Sequence, residues 1–141
     1  MYNINNLHVN EQDRERGDLY RESGISTLGR IPWGSHVSFF HESQEEMKEI
    51  LVPYLEKGLE NNEYCVWVIP RDLTIKDAIS LLEGDVPRIH YFLRIGRLEI
   101  VEFHDWYGDE GNFNIENTIK KCFQELDAST EKRCEGLRIV G

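Results

Sequence analysis

Cysteine is scarce in this chain, long apolar runs are missing, and cationic charge is in deficit. The three cysteines, Cys65, Cys122 and Cys134, are too few and too scattered for a disulfide framework or a paired-cysteine zinc site. Reduced thiols are the expected state, with Cys65 and Cys122 as small core residues and Cys134 exposed among charges. No apolar stretch approaches the roughly 20 residues that span a bilayer, and the first residues lack the basic and apolar regions of a secretory signal. A cytoplasmic protein with no membrane contact is expected. Sixteen basic residues stand against twenty-six acidic ones, a net charge of −10 that disfavours steering toward nucleic acid or an anionic membrane. A phosphate-binding glycine loop is also missing. Where Ser35–His41 would end as a strand, the chain continues His41-Glu42-Ser43-Gln44-Glu45-Glu46. Ser43 and Glu46 make a capping-box pattern, and three glutamates suit the positive end of a helix but repel a nucleotide's phosphates.

At 141 residues the sequence is long enough for one domain with a real core. Residues 1–28 are polar and aperiodic and read as a flexible leader, so that the folded domain is expected over 29–141. Ser35–His41 has the aromatic and β-branched content of a first strand. From Ser43 to Asn61, Met47, Ile50, Leu51, Tyr54, Leu55 and Leu59 recur at helical spacing, with Pro53 expected to bend or break the helix. Tyr64–Pro70 is apolar on both alternating faces, as a central parallel strand covered by helices requires. Thr74 caps a helix through Leu82, Ile89–Ile95 forms a further helical piece, and Leu98–Phe103 is a third strand. The polar and aromatic stretch His104–Gly111 reads as a loop of the kind that carries function. Asn114 caps a helix with Ile115, Ile119, Cys122, Phe123 and Leu126 on its inner face, and Gly136–Gly141 is a fourth strand. Strands alternating with helices give an α/β fold, with a mostly parallel sheet and helices on both faces.

Ligands of open parallel sheets bind beyond the carboxyl ends of the strands. Here those ends are His41-Glu42, Pro70-Arg71-Asp72 and His104-Asp105-Trp106-Tyr107. His41, His104, Trp106 and Tyr107 are therefore expected ligand-binding residues, and Trp33 and His36, in the stretch Pro32–His36 that resembles the opening block of a known family, complete the set, against the simpler reading in which the rings only pack the core. A pocket lined by Trp33, His36, Trp106 and Tyr107 would favour ligand binding, and the same rings buried or scattered would favour an interaction module. His36 and His41, about 16 Å apart by the strand rise, cannot share a metal. A metal held by His41, Glu42, His104 and Asp105 is chemically adequate but has no diagnostic spacing, so no metal and no cofactor are expected. No serine lies on a glycine-flanked strand-to-helix turn, and no catalytic residue is assigned.

Several blocks in order resemble the MEDS domain, a sensory module named for methanogen and methylotroph proteins and a dichloromethane-responsive regulator. They are Leu28-Gly29-Arg30-Ile31-Pro32-Trp33-Gly34-Ser35-His36, Ile50-Leu51-Val52-Pro53-Tyr54, Gly58–Val68, Gly96-Arg97-Leu98-Glu99-Ile100, Trp106-Tyr107 with Gly111-Asn112-Phe113, and Gly136–Gly141. The resemblance implies a RecA/KaiC-like fold without the ATP-binding loop. It also implies a non-catalytic input domain for a histidine kinase or DNA-binding regulator, sensing a small hydrocarbon-like molecule. Because the family pattern continues beyond the equivalent of Gly141, the domain is expected to be truncated at its C-terminus, with its last strand an edge open to a homodimer partner. The alternative is a protein-interaction or dimerisation module, derived from an ATPase fold, with no small-molecule ligand.

Overall fold

The computed structural model describes residues 19–109 and 111–141. It opens with a hairpin, β1 (Tyr20–Glu22) paired antiparallel with β2 (Arg30–Pro32). The expected leader thus ends earlier than Gly29, because Ser23 and Ile25 are buried within the intervening turn. Residues 1–18 of that leader lie outside the described residues.

The core is a three-stranded parallel sheet in the order β4 (Leu98–Val101), β3 (Tyr64–Val68), β5 (Leu137–Val140). All five residues of β3 are buried, which its unbroken apolar sequence requires of a central strand. Alternation along β3 divides the core in two. Cys65, Trp67 and Ile69 pack with α1 (Gln44–Glu60), α2 (Ile75–Glu83) and the first residue of α3 (Ile89–Arg94) through Leu51, Leu55, Ala78, Leu82 and Ile89. Tyr64, Val66 and Val68 face Trp106 in the short helix α4 (Phe103–Tyr107) and Cys122 and Ala128 in α5 (Ile115–Glu131). The architecture is α/β with helices on both faces of a parallel sheet. No helix among the described residues is long and apolar enough to cross a membrane.

Local chemistry sets the helix ends. Thr74 and Asp77 form a reciprocal capping box on α2, and Asn114 accepts two backbone N–H bonds at the start of α5. Ser43 caps α1 by accepting from the Glu46 N–H, while the Glu46 carboxylate accepts from the Glu42 N–H at 2.8 Å. Pro53 does not break α1, which runs without interruption from Gln44 to Glu60.

Three expectations fail. Ser35–His41 is exposed and forms no strand, with Phe40 97% exposed, because no neighbouring strand satisfies its backbone. The supposed inner face of α5 is mostly outward, since Ile115, Ile119, Phe123 and Leu126 are all exposed. Third, β4 stops at Val101, and His104–Tyr107 belongs to a helical turn, not to a loop.

Candidate functional site

The carboxyl ends of β3 and β4 open into a cleft of about 480 Å3. One wall is the β3 exit at Pro70, Arg71, Leu73 and Thr74, and the other is Glu102, Phe103 and His104 at the start of α4. Because parallel strands present their carboxyl ends together, residues far apart in sequence converge here. Leu73 and Phe103 supply apolar surface, and the Arg71 guanidinium lies over the Phe103 ring at 4.3 Å. Thr74 contributes its capping hydroxyl, which donates to the Asp77 carboxylate at 2.6 Å.

His104 is the polar centre of this region. Its Nε2 lies 3.0 Å from a Glu102 carboxylate oxygen and 4.0 Å from one of Asp105. The donor atoms of Glu102, His104 and Asp105 all fall within 4.8 Å of one another. Imidazole and carboxylates are suitable ligands for zinc or iron, so these three side chains are the described residues best able to hold such an ion. The grouping differs from the expected His41, Glu42, His104 and Asp105, because His41 and Glu42 are not among its members. Glu102 falls within the stretch Leu98–Phe103 expected as a strand, and it reaches the cleft because that strand ends at Val101.

A second, smaller depression of about 270 Å3 lies on the other side of α4, where His104, Trp106 and Tyr107 meet Asn112, Asn117 and Lys121. The Lys121 ammonium donates to the Trp106 carbonyl at 3.1 Å, which ties α5 to α4. Trp106 is buried beneath this surface and belongs mainly to the core. Burial raises the pKa of the Tyr107 hydroxyl, so it stays protonated and remains a hydrogen-bond donor.

Of the six residues singled out in the sequence, the fold brings together His104, Trp106 and Tyr107. The other three are elsewhere. Trp33 packs its ring on Gly136, just before β5 and at the amino end of the sheet, so close that a Cβ on Gly136 would fall 2.1 Å from the ring. Arg21 covers the same ring at 4.7 Å. His36 and His41 lie on the exposed 35–41 segment and line neither cleft. Trp33, His36, Trp106 and Tyr107 therefore do not share a pocket, and the cleft centres on Phe103 and His104.

Among the described residues, the start of α1 is poorly suited to a phosphate. There the Glu46 N–H donates to the Ser43 hydroxyl, the Glu46 carboxylate accepts from the Glu42 N–H, and the charges of Glu45 and Glu46 oppose a phosphate. A search of curated proteins and a search of solved structures each found no match. The family model of the MEDS domain, described as the MEthanogen/methylotroph, DcmR Sensory domain, matches residues 35–141, the greater part of the chain. By that match, together with the parallel α/β sheet that carries it, the chain belongs to the MEDS family of sensory domains.

Proposed function

We propose that this chain is the non-catalytic input domain of a cytoplasmic signalling protein, and that a small, hydrocarbon-like molecule with one polar group occupies the cleft beside His104. Binding would bias a conformational equilibrium felt by an attached output unit, such as a histidine kinase or DNA-binding regulator. The observation that carries this reading is the cleft itself, in which Leu73 and Phe103 offer apolar contact beside the polar group of Glu102 and His104. In this reading the sheet is of RecA/KaiC type, with the phosphate cradle replaced by the acidic cap of α1.

The test is a thermal-shift screen of the full chain with halogenated and methylated one-carbon compounds, repeated on His104→Ala and Phe103→Ala. A bound compound at about 100 times its Kd stabilises by about 2.7 kcal/mol, a rise of several degrees in Tm. Both variants should lose that rise, and calorimetric titration with ATP should be flat. No shift with any compound, or equal shifts in wild type and both variants, removes the cleft as the sensing site. The interaction-module alternative draws on a different observation, the outward apolar flank of α5.

A further inference from the structure

The cleft beside His104 also sets which polar group it would receive, because donors along its rim are turned to the protein itself. The Thr74 hydroxyl donates to Asp77, the Leu73 N–H to the Pro70 carbonyl at 3.1 Å, and the Gly108 N–H to the His104 carbonyl at 2.9 Å. The Arg71 guanidinium is laid on the Phe103 ring. His104 holds Nε2 3.0 Å from the Glu102 carboxylate, and a neutral ring that gives its proton there keeps only an acceptor at Nδ1. The carboxylates of Glu102 and Asp109 are left on the lining, and a carboxylate has room for several donors. Asp105 adds a third carboxylate beside His104.

Charge leads the same way. Arg71 stands against the two carboxylates among the lining residues, in a chain of net charge −10, so the potential in this cleft is negative and draws cations. Leu73 and Phe103 set the other requirement, an apolar body. Building on the reading of this cleft as the sensing site, we propose that its ligand is a small aliphatic ammonium ion, whose N–H groups donate to the Glu102 carboxylate while its alkyl chain lies on Leu73 and Phe103. Asp109 adds to the attraction from the rim. The hydrogen bond to Glu102 is charge-assisted, whereas a carboxylate or phosphate in the same place would meet like charge.

Calorimetric titration of the full chain at matched ionic strength tests this with n-butylammonium chloride, 1-butanol, sodium butyrate and ammonium chloride. Butylammonium should bind about 10-fold more tightly than 1-butanol, while butyrate and ammonium give no measurable heat of binding. Glu102→Gln should weaken butylammonium about 10-fold and the more exposed Asp109→Asn about threefold, with the circular dichroism and the 1-butanol affinity unchanged. Added salt should weaken butylammonium and leave 1-butanol alone. If 1-butanol or a halogenated compound binds in the cleft and butylammonium does not, the ammonium class is overturned and the cleft survives as the sensing site. If none of them binds, the cleft reading falls and the proposal with it. Ammonium that binds as tightly as butylammonium would reduce the effect to net charge, and an affinity untouched by Glu102→Gln would put the ligand elsewhere; either overturns the proposal. One zinc or iron ion per chain in native mass spectrometry, lost in Glu102→Gln, would overturn it too, since the metal would then hold the carboxylates.

Discussion

Arg138 and Glu63 form a bidentate ion pair in the interior, 2.6 and 3.0 Å between their paired atoms, with side chains 4% and 1% exposed. The remaining guanidinium hydrogens donate to the carbonyls of Glu22, Ser23 and Tyr54, so Arg138 joins β5 to the N-terminal hairpin and to α1. Such a pair is neutral to stability as a whole and costly to halve, because the partner left behind is a buried charge. Arg138→Met should lower stability by about 3–5 kcal/mol in urea unfolding, and Arg138→Met with Glu63→Leu should recover part of that loss. A double variant no more stable than the single one would show that the carbonyl contacts, not the ion pair, dominate.

Gly24 supports the same junction from the backbone. It has φ +83°, and a Cβ there would fall 2.1 Å from the Pro53 carbonyl oxygen. A main-chain oxygen within α1 cannot swing aside as a side chain could. Gly24→Ala should therefore cost more than the usual ~1 kcal/mol of a left-handed alanine, read as a drop in the urea midpoint with unchanged m. Gly29→Ala also has positive φ but meets nothing within 4 Å, and it isolates the conformational part of the cost.

Burial pushes the Cys65 thiol up to about 12, the nearby Arg138 only partly opposing it, and burial raises Cys122 as well. Near pH 8 the Cys65 thiolate is then roughly 10⁴-fold scarcer than the thiol. Iodoacetamide applied to the folded protein should label Cys134 first and leave Cys65 unmodified, as peptide mass spectrometry would show. Prompt labelling of Cys65 in native buffer would mean that α1 separates readily from β3.

Glu125 stands beside Tyr64, whose hydroxyl donates to Glu99. Burial raises the Glu125 pKa, and the charge on Glu99 adds to that, while the Tyr64 hydrogen bond and Lys132 partly offset it. A raised native pKa means that the folded state holds this proton more tightly than the unfolded chain, so stability falls as pH rises through the native value and returns as it is lowered. Glu125→Gln should melt about 1–2 °C higher than wild type near neutral pH, with the gap closing as pH falls below the raised native value toward that of the unfolded carboxyl. A gap that is constant with pH would assign the effect to packing and not to ionisation.

How far the sequence could be read depended on whether a residue's surroundings were implied by its neighbours. The apolar run of β3 could be satisfied only by cover on both faces, and the caps at Ser43, Thr74 and Asn114 are local, so all of these were legible. The stripe on α5 was read correctly as a stripe but assigned inward, because periodicity says that apolar residues share a face and not what lies against it. Ser35–His41 shows the same limit, since strand composition does not guarantee a pairing partner. The rule for parallel sheets points to His104, Trp106 and Tyr107 beyond β4, while Glu102 comes beside His104 in the candidate cleft because β4 ends at Val101. The Arg138–Glu63 pair spans 75 residues. Its one sequence signal was an arginine inside Leu137-Arg138-Ile139-Val140, a charge that such apolar company obliges to find a partner.

The tryptophans divide the molecule optically. Trp67 and Trp106 are sealed, at 2% and 4% exposure, while Trp33 on Gly136 is 40% exposed beneath Arg21. An aqueous quencher such as iodide should thus extinguish emission from one end of the sheet and spare the other, which turns Trp33 into a native fluorescent gauge of the N-terminal hairpin.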